Sequence, residues 1–143
     1  MTTDVRADRF HVDPSVGSHF SWINTRLAIE RTFMAGMRTA VSLIGFGFTI
    51  VQFFQRVQTG AAGQSFRPQA PRELGLALIA TGVGSLVVAS VQYRRMIRYL
   101  WLDQFKPIAG LTEKPRSTPM LAAALVIMLI GVAAFGTVFL HIA

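Results

Sequence analysis

The chain has no cysteine among its 143 residues. It therefore has no disulfide framework, no thiolate metal site and no cysteine nucleophile. Charged residues are also scarce, since they make up 15% of the chain, whereas soluble domains contain about 25%. Hydrophobic residues make up 52%, and this balance is typical of a membrane protein.

Acidic residues are the rarer charged class, with seven against fourteen basic ones. They form no catalytic constellation in the sequence, and the three histidines have no metal-ligand spacing. We therefore expect no enzymatic activity, no metal site and no cofactor. Basic residues lie mainly beside apolar segments, so their expected partners are the lipid bilayer and anionic lipid headgroups, not nucleic acid.

Three apolar segments are long enough to cross a bilayer, which requires about 20 helical residues. They cover about residues 32–54, 74–92 and 119–142. Residues 1–18 are a polar N-terminal tail, and 19–143 form a three-helix transmembrane domain. The sequence thus predicts an all-α membrane protein with three transmembrane helices.

Two segments beside the spans contain apolar and basic residues without an early helix breaker. In residues 19–31, Phe20, Ile23 and Leu27 recur at spacings of three and four. This pattern predicts a short amphipathic helix at the membrane interface, or an extension of the first span. Residues 93–105 are expected to extend the second helix, or to form an interfacial helix, as far as Phe105.

The distribution of basic residues predicts the orientation in the membrane. Ten basic residues lie in the N-terminal segment and the second loop, whereas three lie in the first loop. We expect a multi-pass protein of the inner (plasma) membrane, with its N-terminus in the cytoplasm and its C-terminus outside.

The first span has a stripe of polar or small residues along one side. Its members recur at steps of three or four, so they share one helix face; they are Arg31, Ala35, Arg38, Ser42, Gly45, Thr49, Gln52 and Arg56. The opposite face has bulky residues, namely Phe33, Met37, Val41, Ile44, Phe48 and Val51.

The stripe has two interpretations, because it should not face lipid. In one, it packs against another helix through residues such as Ser42, Gly45, Thr49 and Gln52. In the other, it lines the lumen of an oligomer, with the arginines as an anion gate. Either way, Arg31 and Arg38 are candidates to bind an anion or a lipid headgroup, in one polar cluster between helices.

Two further features concern contacts between helices. Glu30 is the expected charge partner of Arg26, four residues earlier, or of an arginine on a neighbouring helix. The second and third helices have small residues suited to close helix packing, among them Gly75, Gly82, Gly84 and Gly131.

Three short motifs in the first span carry a resemblance to a known family. They are "ERTF" at Glu30–Phe33, Arg38–Thr39, and "LIGFG" at Leu43–Gly47. In these motifs the chain resembles the YidH-like small membrane proteins, the domain-of-unknown-function 202 family. The family is related to the small transmembrane subunit of the vacuolar transporter chaperone, in which three-helix units surround a polyphosphate pore.

The resemblance implies roles for particular residues. Glu30 and Arg31 match the acid and the base of the motif, and Asn24 stands where that subunit has a further basic residue. A basic residue at the end of the second helix also lines that pore, and the candidates here are Arg94, Arg95 and Arg98. We expect an accessory or structural subunit of a larger membrane complex, or an oligomer; the alternative is a homo-oligomeric anion channel for a polyphosphate-like ligand.

Overall fold

The computed structural model describes residues 13–60, 69–110 and 119–140. This part of the chain is helical and has no strand. Its helices are α1 (Val16–Gly60), α2 (Gln69–Leu100), a 3-10 turn (Asp103–Phe105), α3 (Lys106–Ala109) and α4 (Pro119–Leu140). Three of them, α1, α2 and α4, are long and apolar enough to cross a membrane. The predicted all-α membrane fold is confirmed.

The first helix is much longer than a bilayer requires. Its 45 residues correspond to about 68 Å at 1.5 Å per residue, whereas the hydrocarbon core is about 30 Å thick. Residues 19–31 form the extension of the first span, and no separate interfacial helix precedes it in the described chain. The reason is local: this segment has no glycine or proline to end the helix, and lengthening a helix is easier than starting a new one. Residues 1–12 of the predicted tail lie outside the described residues.

Helices α1 and α2 pack antiparallel at very short range. Near one end, Phe33 stacks on Tyr93 with ring centroids 4.6 Å apart. Near the other, a Cβ atom on Gly47 would lie 2.7 Å from the Gly75 carbonyl oxygen. Such a distance leaves no room for a side chain, so glycine is what allows the two backbones to meet.

The small residues predicted for helix packing differ in whether they contact another helix. A Cβ atom on Gly82 would lie 2.9 Å from the Ala40 carbonyl oxygen, and one on Gly131 would lie 2.7 Å from Val83. These two glycines, like Gly75, are at helix contacts, which confirms their predicted role. Gly84 has no such neighbour within 4 Å, because it lies on the outer face of α2.

A compact apolar cluster forms where α2 ends. Trp22, Leu100, Ile108 and Ala109 are buried together there. The Trp22 indole Nε1–H donates a hydrogen bond of 3.2 Å to the Leu100 carbonyl oxygen. The predicted extension of the second helix is therefore correct to Leu100 but does not reach Phe105. The chain turns after Leu100, and the turn lets Ile108 and Ala109 pack against the extension of α1.

Candidate assembly face of the first helix

The polar stripe lies on the outside of the three-helix unit. Arg38, Gly45 and Thr49 are exposed, whereas Ala40 and Val51 are buried. At about 100° per residue, these exposed and buried groups are separated by roughly half a turn of the helix. Seven of the eight stripe residues are exposed, and Gln52 is half-buried. The stripe is therefore not the face by which α1 packs on α2. Its contact with a further chain or with a lumen stays a prediction.

The glycines explain why the bulky face is the one that packs inside the chain. Ile44 and Val51 are 7% and 2% exposed, because Gly82 and Gly75 on α2 leave space for them. Inside a membrane the alternative to this packing is lipid, so the gain comes from close van der Waals contact between the helices, which the glycines allow. The α2 glycines face this side of α1 and not the stripe, so the stripe stays outside. Two members of the predicted bulky face, Val41 and Phe48, are at the edge and are 47% and 38% exposed.

The polar groups of the stripe differ in how well they are satisfied. The Thr49 hydroxyl donates a hydrogen bond of 2.8 Å to the Gly45 carbonyl oxygen of its own helix. This bond makes threonine tolerable beside lipid. Arg38 has no hydrogen bond or ion pair to any residue that the structure describes. A charged arginine at the centre of a span costs about 2.5–3.5 kcal/mol on insertion scales.

Arg38 borders a groove between α1 and α4. The groove has a volume of about 500 Å³. Its lining is mostly apolar, with two polar side chains from the stripe, and consists of Met34, Met37, Arg38, Val41, Ser42 and Ile127. A polar group of a neighbouring molecule can reach the guanidinium of Arg38 from this groove.

The two arginines at the start of the stripe do not form the predicted cluster between helices. Arg31 and Arg38 both face outward, and neither has an ion pair among the described residues. Glu30 pairs with Arg26 instead, with 3.5 Å between Nε and Oε1. This is the i, i+4 pair expected within one helix. The Arg26 guanidinium also lies 5.8 Å from the centre of the Trp22 ring.

The end of α2 adds positive charge at the same end of the bundle. Arg94, Arg95 and Arg98 are exposed there, without an ion pair in the described parts of the chain. Because Phe33 stacks on Tyr93, Arg31 lies at the level of these three side chains. We call this end of the bundle the basic end.

An acidic residue beside the basic end, Asp103, does not neutralise the arginines there. Asp103 pairs with Lys106, three residues later. The hydrogen bond from Lys106 and its positive charge lower the pKa of the Asp103 carboxyl group. Asp103 is thus engaged locally. Within 13–60, 69–110 and 119–140, no group of three acidic or histidine side chains is placed to hold a metal ion.

A comparison with protein families matches the part of the chain that contains the features described above. A family model described as "Domain of unknown function (DUF202)" matches residues 24–99, more than half of the chain. The chain belongs to the DUF202 family. No curated protein and no solved structure gives a significant match. The matched region contains the stripe, the α1–α2 contact and the arginines of α2, and it ends before α4.

Two side chains of this DUF202 chain were missed by sequence reasoning. Trp22 and His19 bind backbone carbonyl groups far away in the sequence, at Leu100 and Ile108; the His19 Nδ1 lies 2.6 Å from the Ile108 oxygen. They hold the end of α2 and α3 against the extension of α1. No spacing in the sequence reveals such bonds, because any residue has a carbonyl group to offer.

Proposed function

We propose that this DUF202 chain is a small membrane subunit that assembles with further copies of itself through the outer face of α1. The observation that carries the proposal is the exposed Arg38 within a membrane-spanning helix. In a monomer its guanidinium would meet acyl chains or would have to bend toward the headgroups. In an assembly, protein acceptors or water can surround it.

An exposed glycine on the outer face of α1 supports self-assembly. Gly45 has open space where a side chain would be. The outer α1 faces of two copies can therefore approach closely there, as α1 and α2 do at Gly47 and Gly75 inside the chain. A contact of this face with the same face of another copy is isologous, and it brings the two Gly45 positions together.

A second candidate function is an anion pathway. The observation that favours it is the charge of the stripe, because Arg31 and Arg38 have no acidic partner among the described residues. Several copies in a dry contact would bring these charges together. Around a water-filled lumen, the same arginines would attract anions. A polyphosphate-like ligand is the one that the family resemblance suggests.

The assembly is tested with single-cysteine variants, since the chain contains no cysteine of its own. We expect Gly45→Cys to form disulfide-linked dimers in native membranes after mild oxidation. Leu129→Cys is the matched control, because Leu129 is 61% exposed on α4; it should give only background. The mass of the intact particle in lipid nanodiscs should be a multiple of 15.7 kDa.

The possible outcomes separate the candidates. A monomeric particle without cross-links at Gly45 would overturn self-assembly. A particle that contains a different membrane protein would indicate an accessory subunit of a larger complex instead. Labelling of Thr49→Cys with water-soluble thiol reagents distinguishes a lumen, where the thiol reacts, from a dry contact, where it does not.

We also propose that the basic end lies in the cytoplasm and that the protein is in the inner (plasma) membrane. The proposal rests on the exposed Arg94, Arg95 and Arg98, which are at the same end of the bundle as the N-terminus of α1. Positively charged ends of membrane spans favour the cytoplasmic side. A periplasmic reporter fused after Ala143 should be active, and the same reporter fused before Met1 should be inactive. The reverse pattern would contradict this orientation.

A further inference from the structure

The outer face of α1 has the opposite polarity to the one that its expected surroundings require. It is polar where lipid is expected and apolar where water is expected. Within the span, the outer face of α1 is polar. Before the span, on the same side of the helix, Val16, Phe20 and Leu27 are exposed by 74%, 58% and 42%. Neither lipid around the span nor water around the extension suits the residues that face it. Exposed apolar patches of this kind mark contacts with other proteins or membranes.

Contact with lipid tails does not explain why apolar residues of the extension are exposed. Phe33 and Tyr93 lie in one cluster with Ala124 and are packed against Met120, at the start of α4. The α4 helix is 22 residues long, close to the minimum that crosses a bilayer. The hydrocarbon therefore ends near Phe33, and Phe20 lies about 20 Å further along the helix. That distance places Phe20 beyond the acyl chains.

Among the described residues, the contacts to the extension lie mainly on its inner side. There, Trp22 is buried against Leu100, Ile108 and Ala109. At the edge between the extension and α3, Leu27 and Ile23 border a groove of about 500 Å³ that reaches Gly110. Ile23 is half-buried, because it also packs against the Trp22 cluster. Val16, Phe20, Ile23 and Leu27 follow one another at steps of four, three and four. This is the spacing of the apolar seam in a coiled coil.

We propose that Val16, Phe20, Ile23 and Leu27 of the extension pack against the same four residues of a second copy, as a parallel seam outside the membrane. The proposal rests on the self-assembly proposed above. Copies inserted in the same orientation have parallel α1 helices at equal depth, so identical residues meet in register. We call this contact the extension seam.

Charge at the edge of the extension seam is compatible with such a contact. Arg26 borders the groove, but its charge is offset within the same helix by Glu30, at 3.5 Å. Between Val16 and Leu27, two copies thus meet without an unpaired arginine; Arg31, one turn beyond Leu27 on the same face, is the first. Arg31 and Arg38, further along α1, have no ion pair with the described residues, so the extension seam holds the copies together where their charges oppose it least.

The experiment compares two cysteines on opposite faces of the extension. Leu27→Cys should form disulfide-linked dimers in native membranes at least several-fold more efficiently than Thr25→Cys. Thr25 is exposed too, but it points nearly half a turn away from Leu27. The double variant Phe20→Glu, Leu27→Glu should reduce the mass of the particle in nanodiscs, while the insertion reporter after Ala143 stays active.

The results are read together with those for Gly45→Cys. Cross-linking at Gly45 without cross-linking at Leu27 would overturn the extension seam and leave self-assembly intact. Failure at both positions, with a monomeric particle, would overturn both proposals. A Leu27 thiol that links to a different protein, or that reacts with a lipid-confined reagent, would also overturn the extension seam in favour of that other occupant.

Discussion

Replacing Gly75 with leucine should separate α1 from α2 and destroy the folded three-helix unit. A Cβ atom at this position would clash with Val51 and would lie 2.7 Å from the Gly47 carbonyl oxygen. A backbone oxygen cannot turn away as a side chain can. Overpacking in cores typically costs about 1–3 kcal/mol, and we expect this substitution to reach or exceed the upper value. The loss of stability is measured by unfolding the protein in mixed micelles while the fraction of denaturing detergent is increased.

Gly84→Leu is the matched control for Gly75→Leu. Both are glycines of α2, and both receive the same side chain, but Gly84 has open space around it. The monomer should keep its stability within about 0.5 kcal/mol, as surface substitutions usually do. Equal stability of both variants would show that the glycine contact does not hold the helices together.

Gly45→Leu adds a test that separates folding from assembly. Within the chain there is space for the leucine, so the three-helix unit should remain folded. The proposed contact with the next copy uses this space, so the particle should lose mass. A stable monomer that no longer assembles is therefore the expected phenotype.

The sequence was sufficient to predict the spans but not to predict which face of α1 packs. Apolar segments of about 20 residues define the spans by length alone. The stripe and the bulky face follow from the helical period, and both were recognised. Which of them is buried depends on α2, because Gly75 and Gly82 provide the space that Val51 and Ile44 fill. That pairing is a property of three dimensions, since the two helices are far apart in the chain.

The candidate site shows the same division between local and distant contacts. The Arg26–Glu30 pair follows from spacing within one helix and was among the predicted alternatives. The bonds of Trp22 and His19 join residues that are 78 and 89 positions apart, and no local rule contains them. The reversed polarity of α1 could not be predicted from the sequence either. It becomes visible only when the exposure of each residue is compared with its position relative to the membrane.

Replacing Arg38 with leucine should weaken assembly without preventing insertion. Leucine is favourable in a span, so the variant should reach the membrane at least as well as the wild type. Hydrogen bonds to a charged group contribute about 1.5–3 kcal/mol, which corresponds to a roughly 10- to 150-fold weaker association if Arg38 binds acceptors in the assembly. Dilution of the particle in nanodiscs or detergent, followed by mass measurement, gives this constant.

Arg98→Leu is the control for the charge alone. It removes one positive charge from the exposed part of the basic end, away from the stripe, so association should remain close to that of the wild type. Arg38→Lys keeps the charge but not the planar guanidinium, and we expect it to restore part of the association. Equal association for Arg38→Leu and wild type would contradict a role for Arg38 in the assembly.

Arg38→Leu also tests whether the charge of Arg38 attracts anions in a lumen. Thr49 lies about 16 Å from Arg38 along the helix. At an effective dielectric constant of about 20, one charge at that distance changes the energy of an anion by about 1 kcal/mol, or roughly fivefold in rate. In an anion pathway, Arg38→Leu should therefore slow the reaction of Thr49→Cys with an anionic thiol reagent about fivefold and should accelerate that with a cationic one. Equal changes for both reagents would indicate altered access, and the charge of Arg38 would then have no part in attracting anions.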